Sequence, residues 1–335
     1  MMKIVKDRKR LIDEMIESRK NCFPYPIQIE TDGFSTLPFY SKKGNILTCT
    51  ELCETTLLLL NLCQVGTKQL KKVLFLYLLT EINISRLNLS NAGGLLVKLE
   101  KEVGNLRPFN SSSNIDLELQ LMFLVGHELQ HACYAFDKQL KQVDIENVHQ
   151  SIMELYANPE TIRQEQVFKL IPEICSEKRR MEELACDIGS VKFISKYIVK
   201  HYSTNEIPQI CSQLLRIVTM LQYAINIYEL AEFRIKNIRL YSKKHIFDII
   251  RVGNVAMTLA NILETDAISN LGENLQNEVF AYNKVLSNSI KIGLEDLWIL
   301  HTAQASSVEE DRKKYESICT KFTEISKHIK YILIN

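Results

Sequence analysis

The chain has 335 residues, with 41 Lys plus Arg against 40 Asp plus Glu; a net charge of +1 leaves no global field that favours nucleic acid or an anionic membrane surface. At 46 % hydrophobic and 24 % charged it is globular, long enough for one large domain or two ordinary ones. Gly 11 and Pro 7 are both scarce, which argues against a strand-and-turn architecture and predicts a mainly α (α+β) chain of long helices.

Nine cysteines, an odd number with no CxxC pair, follow a start that lacks an apolar leader core. They predict reduced thiols in a cytoplasmic protein. Neither Leu57 to Cys63 nor Val73 to Leu79 approaches the about 20 apolar residues of a membrane span, so no membrane partner is expected.

Met1 to Lys20 reads as an amphipathic helix with Ile4, Leu11, Ile12, Met15 and Ile16 as its apolar stripe. Asn21 to Asn45 holds Pro24, Pro26, Pro38, Gly33 and Gly44 and reads as irregular, with a short strand around Ile27 to Ile29. Such a segment could cross a cleft and bring Cys22 to a metal as a blocking thiolate; a plain buried cysteine is the alternative. Thr48 to Val65 is a helix capped near Thr48 or Thr50. In Leu70 to Leu89 the run VLFLYLL precedes the alternating EINISRLNLS, the best strand candidate and a candidate edge for an extended peptide. Asn91-Ala92-Gly93-Gly94 reads as a turn, Leu95 to Val103 as a helix and Asn110 to Asp116 as a polar loop.

The most informative stretch is Leu121 to Asp137, LMFLVGHELQHACYAFD. His127 and His131 are four apart and share a helix face, so both rings can reach one tetrahedral metal. Glu128 lies about 100° around the helix, beside the metal, where it can take a proton from a bound water. This is the HExxH pattern of zinc hydrolases. The flanks are apolar, and His-Glu-His in a buried helix would leave unpaired polar groups at about 1–3 kcal/mol each unless a metal engages them.

A third ligand is needed, and three kinds are on offer. Glu183 in MEELACDIGSVKF heads them: with Asp187 at i+4 on one face, one carboxylate can bind the metal while the other holds a ligand histidine by its far nitrogen. Asp137 would require a sharp turn after His131. Asp144, Glu146 or His149 in the polar stretch that follows are the third kind.

Lys138 to Arg180 is polar and partly helical, broken at Pro159 and near Pro172, and is expected to wall the cleft. Four helical stretches follow: Pro208 to Leu240, Lys244 to Leu263, Asn270 to Leu286 and Ile292 to Leu333. Within them Arg234, Lys236, Arg239, Lys243, Lys244 and Arg251 make the densest basic cluster, with too few aromatics for nucleic acid. The expected organisation is a metal-binding domain over 1–205 and a helical accessory domain over 206–335.

His127-Glu128-Leu129-Gln130-His131 with downstream Glu183-Leu184-Ala185-Cys186-Asp187 resembles the gluzincin class of zinc metallopeptidases, HExxH followed by ExxxD. The second motif is similar to that of the membrane-embedded prenyl-protein and heat-shock peptidases, with Cys186 where they carry alanine. A soluble helical branch of similar layout is the Lit-like phage-exclusion peptidases. The resemblance implies a zincin-like core with a small sheet, Zn2+ on His127, His131 and Glu183, Glu128 as general base and Asp187 behind a ligand. It also implies a protein or peptide substrate, and by fold-level analogy a regulated defence or toxin-type protease.

From the residues alone, His149 and Tyr156 are the candidate oxyanion donors; Tyr134 reads as core, and His201 and Tyr202 fall about 27 Å from Glu183 on an unbroken helix. The C-terminal helices offer a face for a regulatory partner. The competing expectation is a helical interaction or sensing scaffold with a structural or inactive zinc site, closed by a fourth protein ligand such as Cys22 or His149.

Overall fold

With few helix breakers, the chain runs in long helices beside one small three-stranded sheet. The computed structural model describes residues 2–65, 68–107, 115–157, 162–233, 238–263 and 308–334. Among them the helices are α1 (Arg8–Glu17), α2 (Glu51–Val65), α3 (Lys68–Ser85), α4 (Leu89–Gly104), α5 (Leu117–Phe136), α6 (Lys138–Leu155), α7 (Ile162–Ser176), α8 (Lys178–His201), α9 (Ile207–Phe233), α10 (Ile238–Leu263) and α11 (Val308–Ile334). The strands are β1 (Met2–Lys3), β2 (Gln28–Glu30), β3 (Phe39–Ser41), β4 (Ile46–Thr48) and β5 (Ile115–Asp116). No helix among the described residues is long and apolar enough to cross a membrane.

α5 is the axis of the molecule. Leu117, Leu121, Phe123, Val125, Leu129 and Ala132 are buried on successive faces, so the helix is enclosed on nearly all sides. Its start is fixed by Asp116, whose carboxylate accepts from the Leu119 N–H at 2.9 Å. Its end is fixed by Asp137, which breaks α5 and caps α6 by accepting from Leu140 N–H at 2.8 Å.

α8 crosses α5 at close range, and two glycines make that approach feasible. A Cβ on Gly126 would stand 2.5 Å from Ser190 Oγ, and one on Gly189 would stand 2.6 Å from the Gln130 amide. Ser190 Oγ instead donates to Phe123 O at 2.6 Å across the crossing. Arg19, just beyond α1, clamps the same point by donating to Gly126 O, Gln130 Oε1 and Gly189 O at 3.2–3.3 Å. The result holds the His127 turn of α5 against the Glu183–Asp187 turn of α8.

In the sheet, β4 is central, parallel to β2 and antiparallel to β3 with Tyr40 opposite Leu47. β3 is an edge, and it lies against α5. One hydrophobic core takes in Ile12, Leu58, Phe123, Ile194, Leu214, Val255 and Phe322, so residues on both sides of the 205/206 boundary share it. Buried Glu54 on α2 pairs with Arg8 at the start of α1 and with Lys330 on α11, tying the first and last described helices together.

Two expectations of local structure are corrected. EINISRLNLS is not a strand: its first half completes α3, and α4 begins at Leu89 after Leu87 turns the chain at φ 58°. α3 is buried nearly all round, so Ile82 and Ile84 mimic alternation without reporting a sheet face. Thr80 Oγ1 and Asn83 Nδ2 donate back to Leu76 O and Leu79 O, so these two buried donors are paired within the helix. Asn91 to Gly94 is likewise the first part of α4 rather than a turn. Pro172 lies inside α7, while Pro159 and the stretch Asn270 to Leu286 fall outside the described residues.

Candidate metal centre

The crossing of α5 and α8 brings six charged or imidazole side chains together. His127 and His131 stand one turn apart with their Nε2 atoms 3.2 Å from each other. Glu183 faces both, Oε2 at 3.3 Å from His127 Nε2 and Oε1 at 3.6 Å from His131 Nε2. Ligand atoms at 2.0–2.1 Å from a tetrahedral zinc lie about 3.3–3.4 Å from one another. The observed separations bracket that edge.

Each ring is also held from behind. His127 Nδ1 meets Asp187 Oδ1 at 2.8 Å, and His131 Nδ1 lies 3.4 Å from Glu182 Oε1. An ionised carboxylate only accepts, so it keeps a proton on Nδ1 and turns Nε2 toward the site. Glu182 is paired in turn with Lys141 of α6 at 2.5 Å. Asp187 is fully buried and takes two bonds from Arg251 of α10, Nη2 to Oδ1 at 2.8 Å and Nε to Oδ2.

Glu128 points to the other side of His127. Its Oε2 accepts from the backbone N–H of Tyr40, on the free edge of β3, at 2.9 Å. A cavity of about 120 Å³ lies between these groups, lined by Leu37, Pro38, Glu128, Glu183, Val218 and Arg251 among others. Three carboxylates (Glu128, Glu183 and Asp187) face the Arg251 guanidinium and the His127 ring there, so acidic groups outnumber basic ones in the lining.

Cys186, one turn after Glu183, is also at hand. His127, His131 and Cys186 offer ligand atoms that all lie within 4.8 Å of one another and could hold a metal ion. Both Glu183 and Cys186 therefore compete for the third position, or fill the third and fourth together.

No family model, curated protein or solved structure matches the chain. What the site can do rests on its own chemistry.

The remaining residues raised by the sequence lie elsewhere. Asp137 caps α6; Asp144 accepts from Tyr134 Oη at 2.7 Å and from Gln130 at 3.3 Å; Glu146 pairs with Gln142 on an exposed face. His149 is exposed on α6 and Tyr156 is buried at its C-terminal end, and neither lines the cavity. His201 is exposed, and Tyr202 bonds to Asp116 at the start of α5. Cys22 borders a separate cavity of about 830 Å³ with Arg19 and Cys133, apart from the one that Glu128 and Glu183 line. In the basic cluster, the side chains of Arg234, Lys236, Arg239, Lys243 and Lys244 fall outside the described residues.

Burial and partners set the charge states. Burial alone would lower the His127 pKa, but the bonds to Asp187 and Glu183 outweigh it and push it up to about 10. Glu183 is driven the opposite way: burial opposes ionisation, yet the two imidazoles and Arg251 hold it well below the usual carboxylate range. Asp187 is lowered against its burial, chiefly by Arg251. Glu128 is raised by burial, offset in part by the histidines and the Tyr40 N–H.

A pH dependence follows, because a metal takes the neutral imidazole. With His127 protonated up to about pH 10, binding must displace that proton. Affinity then rises about tenfold per pH unit as pH climbs toward that value, and levels off above it. Zinc titration calorimetry at neutral pH in two buffers of different ionisation enthalpy is expected to report proton release on binding. Buffer-independent heats would contradict the assignment.

Proposed function

We propose that the chain is a zinc-dependent endopeptidase of gluzincin type, with a zincin-like core formed by α5, α8 and the β2-β4-β3 sheet. The observation that carries the reading is the convergence of His127 Nε2, His131 Nε2 and the Glu183 carboxylate at 3.2–3.6 Å, beside the half-buried Glu128. A zinc ion bound there would lower the pKa of water to about 7 and polarise the scissile carbonyl.

The chain's own groups supply the rest. Asp187 and Glu182 fix the two rings with Nε2 forward. Glu128, with its pKa raised by burial, takes a proton from the attacking water and hands it to the leaving nitrogen. The Tyr40 N–H aims its carboxylate. Leu37 and Pro38 line the cavity of about 120 Å³ beside Glu128 and Glu183. Unpaired cysteines throughout the described residues suit a reducing compartment.

A second reading draws on Cys186. If its thiolate joined His127, His131 and Glu183, four protein ligands would close the site and make it structural. The open site is preferred because the Glu183 carboxylate already faces both rings, 3.3 and 3.6 Å from the two Nε2 atoms.

The test is metal analysis with chelation. About one zinc per chain is expected, with cleavage of an unfolded protein substrate that stops when zinc is stripped and returns on its addition. A chain with no affinity for zinc sinks the reading.

A further inference from the structure

Arg251 belongs to a helix far along the chain from the HExxH motif, yet its guanidinium lines the same cavity as His127, Glu128 and Glu183. Its neighbours in sequence, Ile249, Ile250 and Val252, are buried core, and Arg251 itself is 8 % exposed. Building on the peptidase reading above, we propose that Arg251 is a positioning residue of the metal centre. It locks the Asp187 carboxylate and, through it, the ring of His127.

The geometry carries the role. Nε and Nη2 of Arg251 each reach a different oxygen of Asp187, the forked pairing that fixes a carboxylate plane. The oxygen that accepts from Nη2 at 2.8 Å is the one that meets His127 Nδ1 at 2.8 Å. Held by a single imidazole, the carboxylate would be free to swing about its terminal torsion; held on both oxygens, it presents one lone pair to Nδ1. Arginine stays charged, so Asp187 stays an acceptor and Nδ1 keeps its proton.

Energetics point the same way. A buried ion pair gains little over well-packed apolar residues, because both charges leave water. Stability alone does not call for an arginine and an aspartate in the core at this point. Orienting a metal ligand does, and α10 thereby completes a site whose imidazoles and carboxylates all lie before residue 206.

The experiment measures zinc affinity of the full-length chain by competition with a chromophoric chelator, with circular dichroism as the folding control. Arg251→Met is expected to bind zinc about 10–100-fold more weakly, the usual effect of losing a group that orients a ligand. Arg251→Lys, which keeps the charge but loses the fork, is expected to recover part of the loss. Asp187→Asn with Arg251→Met should bind no more weakly than Asp187→Asn alone, because both changes break one chain of contacts. A folded Arg251→Met of wild-type affinity overturns the proposal, as does a double variant whose losses multiply. If Arg251→Met does not fold, Arg251→Lys decides: weakened binding supports the role and wild-type binding overturns it. A wild-type chain that takes up no zinc overturns the peptidase reading as well, a result distinct from either.

Discussion

Replacing Glu128 by Gln is expected to lower peptide hydrolysis by about 10²–10⁴-fold while leaving zinc content and fold unchanged. Gln has the same shape, and its carbonyl oxygen can still accept from the Tyr40 N–H that now meets Glu128 Oε2 at 2.9 Å. His127, His131 and Glu183 are untouched, so the metal keeps its ligands. What disappears is the only change the reaction needs from this position, uptake and release of a proton. Steady-state cleavage of an unfolded substrate, read beside metal analysis, separates the outcomes. Full activity in a zinc-loaded Glu128→Gln protein removes Glu128 as the base. The same variant carries a pH signature. Burial raises the Glu128 carboxyl above its ordinary value, so the acid limb of the wild-type rate profile should lie above the about 4.3 of free glutamate.

The metal helix was legible because its chemistry is local. Spacing four puts His127 and His131 on one face by helix geometry alone, and the apolar flanks announce a buried helix whose polar residues require partners. Glu183 and Asp187 were legible for the same reason, and their distances to the two rings depend on Gly126 and Gly189, whose lack of a Cβ lets α5 and α8 touch. Contacts between distant segments left fainter marks. Tyr40 acts through a backbone N–H, which no side chain advertises, from a three-residue strand in a stretch that reads as irregular. Glu182 is disguised as one of many acidic residues beside Lys and Arg. Arg251 carried a usable signal: a lone charge within IIRVGNVAM sits where helical periodicity demands core, so it had to meet a buried acid. Grouped with the basic residues before it, it reads as surface. EINISRLNLS failed in the opposite sense, since a helix buried on every side has no face for its period to display.

Glu183→Ala and Cys186→Ala divide an open, working centre from a closed one. With Glu183 as third ligand, Glu183→Ala should weaken zinc binding by more than the 10–100-fold typical of an outer partner, and Cys186→Ala should change it little. Cobalt substitution adds a direct view, because a cysteine thiolate on Co2+ gives an intense near-ultraviolet charge-transfer band and nitrogen and oxygen ligands do not. No such band is expected in the wild type. Its presence, with loss on Cys186→Ala, would place sulfur on the metal and favour the structural reading. Geometry opposes that outcome: the Glu183 carboxylate already faces both imidazoles, 3.3 and 3.6 Å from their Nε2 atoms. If His127, His131 and Glu183 held a dication, Glu128, half-buried and aimed by the Tyr40 N–H, would stand beside it to take a proton from a bound water. A Cys186 thiolate as fourth ligand would take the place of that water and leave Glu128 with nothing to act on.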